Sequence, residues 1–352
     1  MMNFSNNTSH MEGQSVSLRV SITGSITYVA VYIPIILMCV LGNALVLTTF
    51  IRFKKVRNVN NYYIFALSIA DFLTGLVAVP LTISNRLIIS ETTCHANSRS
   101  YLFLPAYVLC AISMCLLLAI TVDRYMAISR PLRYHAMMTR QKTIKIIIFW
   151  FAFGFCFGTL PVWSFGSDPY QWVCGLEQYD APILTVHALV GSFLIPTWLL
   201  LLIIAYVRIF YIAYLRKDSV SNNRSQRAKS VQWKMRMRTT ITSAIVLGTF
   251  TIFWLPQSFK NVFEIYLATD LKSLLAVQTF CEMLTFISSF MNPIIYGWRN
   301  HQFRTAYKQI LSDCGCFQGN KPEQNSASPD TDETGSINMT RSMTSVNVII
   351  SE

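Results

Sequence analysis

The sequence predicts an all-α membrane protein, a seven-transmembrane helix bundle with a short amphipathic eighth helix, and three observations carry that expectation. Of the 352 residues, 53% are hydrophobic and only 13% are charged, about half the roughly 25% charged share of soluble domains. The apolar residues gather into seven blocks, at about 27–51, 61–88, 101–128, 143–165, 182–212, 238–266 and 273–297. Each block is long enough to cross a bilayer core, which takes about 20 residues as a helix. Basic residues, finally, are dense in every second connection and sparse in the others, as a multi-pass topology requires.

The divisions follow in order. Residues 1–26 form a polar tail, and the first apolar run is expected to act as its own insertion signal. Arg52, Lys54, Lys55 and Arg57 occupy the first connection, and Arg130, Arg133, Arg140 and Lys142 the second. The third connection is richest, from Arg216 and Lys217 to Arg236 and Arg238. This bias puts the amino terminus outside and the carboxyl terminus inside, at the plasma membrane. It also accounts for the net charge of +12 as topology and attraction to anionic membrane lipid rather than as nucleic-acid binding. The outer tail then exposes glycosylation sequons at Asn3, Asn6 and Asn7.

The same topology sorts the nine cysteines. Five lie within spans, and only Cys94 and Cys174 face the oxidising side, so they are the natural disulfide pair. After the bundle (27–297), residues 298–316 place Phe303, Tyr307 and Ile310 or Leu311 on one face and basic residues on another. That pattern reads as a helix lying on the inner membrane surface. Cys314 and Cys316 follow, where a juxtamembrane thiol suits palmitoylation. Residues 317–352 are polar and rich in Ser and Thr, a composition that favours a disordered cytoplasmic tail.

Ionisable groups inside a span are expensive and point to function. Asp71 sits mid-span in "ALSIADFLTG", with Asn43, Asn292, Ser113, Ser288 and Ser289 available to surround it. Two readings stand: a sodium site on Asp71, or a helix–helix hydrogen-bond network without an ion. Pro34, Pro80, Pro105, Pro196, Pro256 and Pro293 interrupt spans and can kink them. Trp254 lies two residues before Pro256 and Phe250 a turn earlier, either an aromatic lever beside a hinge or plain packing.

Taken together, "GNALV" with Asn43, "LSIAD" with Asp71, "DRY" at Asp123–Arg124–Tyr125, "FWLP" with Trp254 and Pro256, and "NPIIY" at 292–296 resemble the rhodopsin-like (class A) family of G-protein-coupled receptors. The motifs occur in order, each in its own span. The resemblance implies that Asp123 cages Arg124 at rest and that Arg124 is released toward a heterotrimeric G protein when the sixth helix swings out. It implies a sodium pocket of Asp71, Ser113, Ser289 and Asn292, a switch role for Phe250, Trp254, Pro256, Pro293 and Tyr296, and arrestin and receptor kinases as partners of the tail. Where such receptors often offer an acid to this arginine, the chain reads "KMRMR" with Arg236, which predicts raised basal signalling.

The ligand is the least legible part. Biogenic amine receptors carry an aspartate on the third helix where this chain has Ala106, followed by Tyr107, with Cys110 a turn further in. Opsins carry a retinal lysine where this chain has Phe286, which argues against a retinal cofactor. Several segments look similar to adenosine receptors, and Asn261 and Glu177 match residues that hold adenine there. Gln257, Ser258 and Phe286 depart from that nucleoside site. Glu282, a turn outside Phe286, could pair a cationic ligand. The expected function is therefore a receptor for a small extracellular ligand, nucleoside-like or cationic amine-like. A constitutively active receptor or a peptide receptor is the alternative. A transporter is a distant one, since no inverted repeat is found, and no constellation of catalytic residues points to an enzyme.

Overall fold

The computed structural model describes residues 22–91, 102–164, 181–216, 224–266 and 271–314. Among these residues every element is helical. In order they are α1 (Ile22–Arg52), α2 (Val59–Leu73), α3 (Val79–Glu91), α4 (Leu104–Ser129), α5 (Pro131–Met137), α6 (Arg140–Ser164), α7 (Ala181–Arg216), α8 (Arg224–Tyr266), α9 (Leu271–Arg299) and α10 (His301–Asp313). A bilayer offers no partner for a bare N–H or C=O, so a spanning chain must satisfy its backbone within helices.

Six of the long helices combine the length and apolarity of a membrane span. The seventh, α9, has 29 residues but a more polar sequence. Its Thr285, Ser288, Ser289 and Asn292 are buried inside the bundle, between α1 and α8. Polarity on an inward face costs nothing against lipid, so α9 still completes the ring of seven.

Two prolines behave differently from expectation. Pro105 does not interrupt the third span; α4 begins at Leu104 and Pro105 occupies its first turn. There the missing N–H would have had no partner anyway. Pro80 follows a five-residue π-helical turn, Thr74–Ala78, which joins α2 to α3 in one span. The widened turn carries Gly75 against α1, where an added Cβ would meet the Cys39 Cβ at 2.5 Å. Pro34, Pro196, Pro256 and Pro293 do lie inside helices.

The core is built around α4, which touches α2, α6, α7 and α8. Leu116, Leu67, Val46 and Ile128 have essentially no exposed surface. Outward-facing Ile148, Phe149, Phe153, Leu201 and Ile252 are all about half or more exposed, the arrangement a lipid-immersed surface needs. Short α5 starts at Pro131, a position pre-set for a first helical turn, and lies beside the inner end of α4. α10 is capped by Asn300, whose Oδ1 accepts from the Gln302 N–H at 3.1 Å. It buries Phe303, Ala306, Tyr307 and Ile310 against the bundle, so Ile310 rather than Leu311 completes the apolar face. An Arg52–Asp313 ion pair at 2.7 Å joins its far end to α1.

Candidate functional site

The Asp–Arg–Tyr motif occupies the inner end of the apolar stretch of α4. Asp123 and Arg124 are buried at 1% and 3% exposure, and they form an ion pair. A lone guanidinium at that depth would be costly, so paired acceptors surround it. Arg124 also donates to the Asn60 Oδ1 on α2 and, at 2.8 Å, to the Thr239 hydroxyl on α8. Thr239 in turn donates to the Arg236 carbonyl at 2.8 Å. The acid often found on the sixth helix is absent, as the sequence indicates, and a neutral hydroxyl stands in its place. Arg236 itself reaches the Pro131 carbonyl at 3.4 Å.

Asp123 has a second tether that its motif does not announce. The Tyr134 hydroxyl on α5 donates to the Asp123 carboxylate at 2.8 Å and lies 3.0 Å from the Asn60 Oδ1. Burial, and then the charge of Asp123, push the Tyr134 phenol well above its ordinary range, so it remains a donor. Asn60, Tyr134 and Thr239 are the residues that the linear reading missed. Their one local signal is polarity at the inner ends of apolar blocks, shared with many ordinary boundary residues. Tyr125, grouped with the pair by the motif, faces away from the bundle at 40% exposure.

Deeper in, Asp71 is 1% exposed, and the Asn292 amide donates to it at 2.7 Å. Ser289 stands beside the carboxylate, and Ser113 is buried as well. No basic side chain among the described residues pairs with Asp71. A buried carboxylate ringed by hydroxyl and amide groups fits a singly charged hard cation taken up through oxygen. Asn43 ties this region to α1 and α9, donating to the Cys39 carbonyl at 2.9 Å and the Ser289 carbonyl at 3.4 Å.

One level further out, Trp254 stacks on Phe250 with ring centres 4.9 Å apart, and Phe250 meets Trp198 of α7 edge-on at 5.8 Å. The indole N–H donates to the Ser288 hydroxyl at 3.3 Å, joining α8 to α9 just beside Pro256. Tyr296, after Asn292 and Pro293, is buried and packs on Phe303 of α10 at 5.9 Å.

The outer positions are less uniform. Ser258 is buried, and its hydroxyl turns back to the Trp254 carbonyl at 3.3 Å. Gln257 is half-buried, with its carboxamide oxygen enclosed. Phe286 is buried edge-on against Tyr32 of α1 at 6.2 Å, with Ala106 packed on the same cluster. Cys110 packs on the main core, whereas Tyr107 is 46% exposed. Glu282 is half-buried on α9, one turn outward of Phe286. Asn261 lies on α8, but its side chain falls outside the described set, as do Asn3, Asn6, Asn7, Cys94, Cys174, Glu177 and Cys316. Cys314 is exposed just after the end of α10.

A seven-helix membrane bundle that cages one arginine at its end, beneath a buried carboxylate and a stacked aromatic pair, is the architecture of a heptahelical receptor. Residues 42–296 match the family described as 7 transmembrane receptor (rhodopsin family). The chain belongs to that family. It is 30% identical over 310 residues to the adenosine receptor A2a of Canis lupus familiaris, covering 83% of this chain and 73% of that protein. It is 28% identical to the histamine H2 receptor of Rattus norvegicus, over 84% of this chain and 81% of that one. Similarity to the trace amine-associated receptor 365 of Petromyzon marinus is 28%, over 81% and 79%.

Proposed function

We propose that this receptor binds a small cationic ligand in the outer half of the bundle, at the plasma membrane with its amino terminus outside, and activates a heterotrimeric G protein through Arg124. The observation that carries the proposal is the buried Arg124 held between Asp123 and Thr239. Two of its three tethers sit on other elements, so displacing α8 removes one and frees the guanidinium for a new acceptor. Trp254 and its bond to Ser288 give a ligand above them a route to α8, where Pro256 weakens the helix. Asp71, with oxygens from Ser113 and Ser289, would hold a sodium ion that Asn292 helps orient.

Two facts favour a cation over a nucleoside. Phe286 and Ser258 are committed to packing and to an internal hydrogen bond, so neither offers a polar group to a ribose. Glu282 supplies an acid on the opposite wall from the usual amine anchor. A nucleoside held by Asn261 and Glu177 is the second reading, motivated by the adenosine receptors among the relatives. Arrestin and receptor kinases acting on residues 317–352, palmitoylation at Cys314 and Cys316, and a Cys94–Cys174 bridge complete the proposal.

The test is guanine-nucleotide exchange in membranes holding the full chain, challenged with histamine, tyramine and adenosine. The amines should stimulate exchange, Glu282→Gln should abolish that response, and Arg124→Ala should abolish all exchange. Stimulation by adenosine alone would favour the second reading. Exchange that persists in correctly inserted Arg124→Ala protein would defeat the receptor mechanism itself.

A further inference from the structure

Tyr125 belongs by sequence to the arginine switch but stands outside it, and what it does face is a pair of hollows on the outer surface of the bundle. The first, of about 290 Å³, lies at the inner end of α4, between Met126, Ser129 and Arg130 and the Tyr134, Met137 and Met138 side chains of α5 and its end. The second, of about 210 Å³, lies farther into the membrane in the seam between α4 and α7. Leu118, Val122 and Tyr125 wall it on one side, and Trp198, Leu201 and Ala205 on the other. Tyr125 lines both. Leu118, Val122, Tyr125 and Ser129 are spaced by three or four residues, so they form one stripe along the helix. The hollows are therefore consecutive stretches of a single groove, about 16 Å long from Leu118 to Ser129 at the rise of an α-helix.

Its chemistry changes along its length. The deep part is apolar and opens toward lipid, with Val122 46% and Leu201 60% exposed. It exists because Ala205 is small where its neighbours on α7 are Leu and Ile. Three methionines and two tyrosines give the shallow part adaptable, polarisable walls. At the mouth stands Arg130, the first residue beyond the apolar segment Leu104–Ser129, exposed and with no acidic partner among the described residues. Arg133 is exposed one turn along α5.

We propose that this groove is a specific site for an anionic phospholipid of the inner leaflet, its headgroup on Arg130 and one acyl chain running past Tyr125 to Trp198. Apolar walls alone would take any lipid tail; the unpartnered arginine at headgroup depth selects negative charge. The leaflet assignment rests on the orientation proposed above, whereas the groove and its charged mouth do not.

Native mass spectrometry of the purified full-length protein, mixed with phosphatidylserine or phosphatidylcholine of the same chain length, reads the site directly. Phosphatidylserine should be retained about fivefold more strongly, the preference that one arginine near a membrane surface supplies. Arg130→Gln should erase that preference and leave phosphatidylcholine retention unchanged. Ala205→Phe and Val122→Phe, each filling the seam, should lower retention of both lipids, and heat-unfolding midpoints like that of the wild type establish that either variant is folded. Arg124→Ala, which lies inside the bundle, should retain lipid like the wild type, so the lipid site and the signalling mechanism fail or stand separately. Equal retention of the two lipids, or unchanged retention when the seam is filled, would overturn the site. Oleate displacing phosphatidylserine at equal concentration would make a free fatty acid the occupant and overturn the phospholipid assignment.

Discussion

Arg124 shows how a single side chain can be both indispensable and held in check. Its partners on α4, α2 and α8 are one charged and two neutral, so the contact that must break on activation is the neutral one to Thr239. Hydrogen bonds to a charged group contribute about 1.5–3 kcal/mol. Thr239→Val removes this acceptor while keeping the shape, and ligand-free nucleotide exchange should rise about tenfold. Radiolabelled nucleotide uptake by membranes measures it; an unchanged rate would take Thr239 out of the switch. Asp71 makes a second prediction at this scale. If its buried carboxylate takes up sodium, the heat-unfolding midpoint of the protein should be higher in sodium chloride than in choline chloride. Asp71→Asn should remove that difference, and its survival in the variant would place the salt effect elsewhere.

Helix contacts here depend on how closely backbones approach. α4 and α6 cross at Gly154 and Gly158, where an added Cβ would lie 2.7 Å from the Ile112 Cα and 2.5 Å from the Val108 Cα. Those are backbone atoms, which cannot step aside as a flexible side chain would. Small residues at such crossings stabilise membrane helices through close packing. Gly158→Val should therefore cost about 1–3 kcal/mol, the usual penalty of overpacking. Gly248 on α8 is the contrast, since a Cβ added there would meet nothing within 4 Å. Gly248→Ala should be neutral or stabilising, because glycine costs a helix interior about 1 kcal/mol relative to alanine. Thermal unfolding of the two purified variants gives the comparison, and equal losses would refute the close-approach argument.

For the whole molecule, the basic connections fix how the bundle sits in the membrane. Lys54 and Lys55 after α1, Arg130 and Arg133 around α5, and the positive start of α8 all lie at one end. The side carrying these residues should face the cytoplasm. An epitope inserted before residue 22 should be labelled by a membrane-impermeant antibody on intact cells, and one inserted within 217–223 only after permeabilisation. The reverse pattern would invert both the proposed ligand face and the proposed G-protein face. The same end carries α10, anchored by Phe303 and Tyr307, so the switch, the lipid groove and the amphipathic helix share one membrane surface.

Block length and loop charge were enough to read the bundle from the chain, because a bilayer admits few solutions to backbone hydrogen bonding. The ordered motifs likewise marked Arg124, Asp71, Trp254 and Asn292, since polar or bulky residues are conspicuous in apolar runs. Only the tertiary structure decided which of them meet. Thr239 and Tyr134 lie 115 and 11 positions from the residues they hold, and nothing local distinguishes them from other boundary residues. Tyr125 left the switch for the lipid face because successive residues on a helix point about 100° apart. Pro105 proved to start a helix rather than bend one. Spacing along a chain fixes what can share a helix face; which faces then meet depends on packing between helices, which one-dimensional order does not contain.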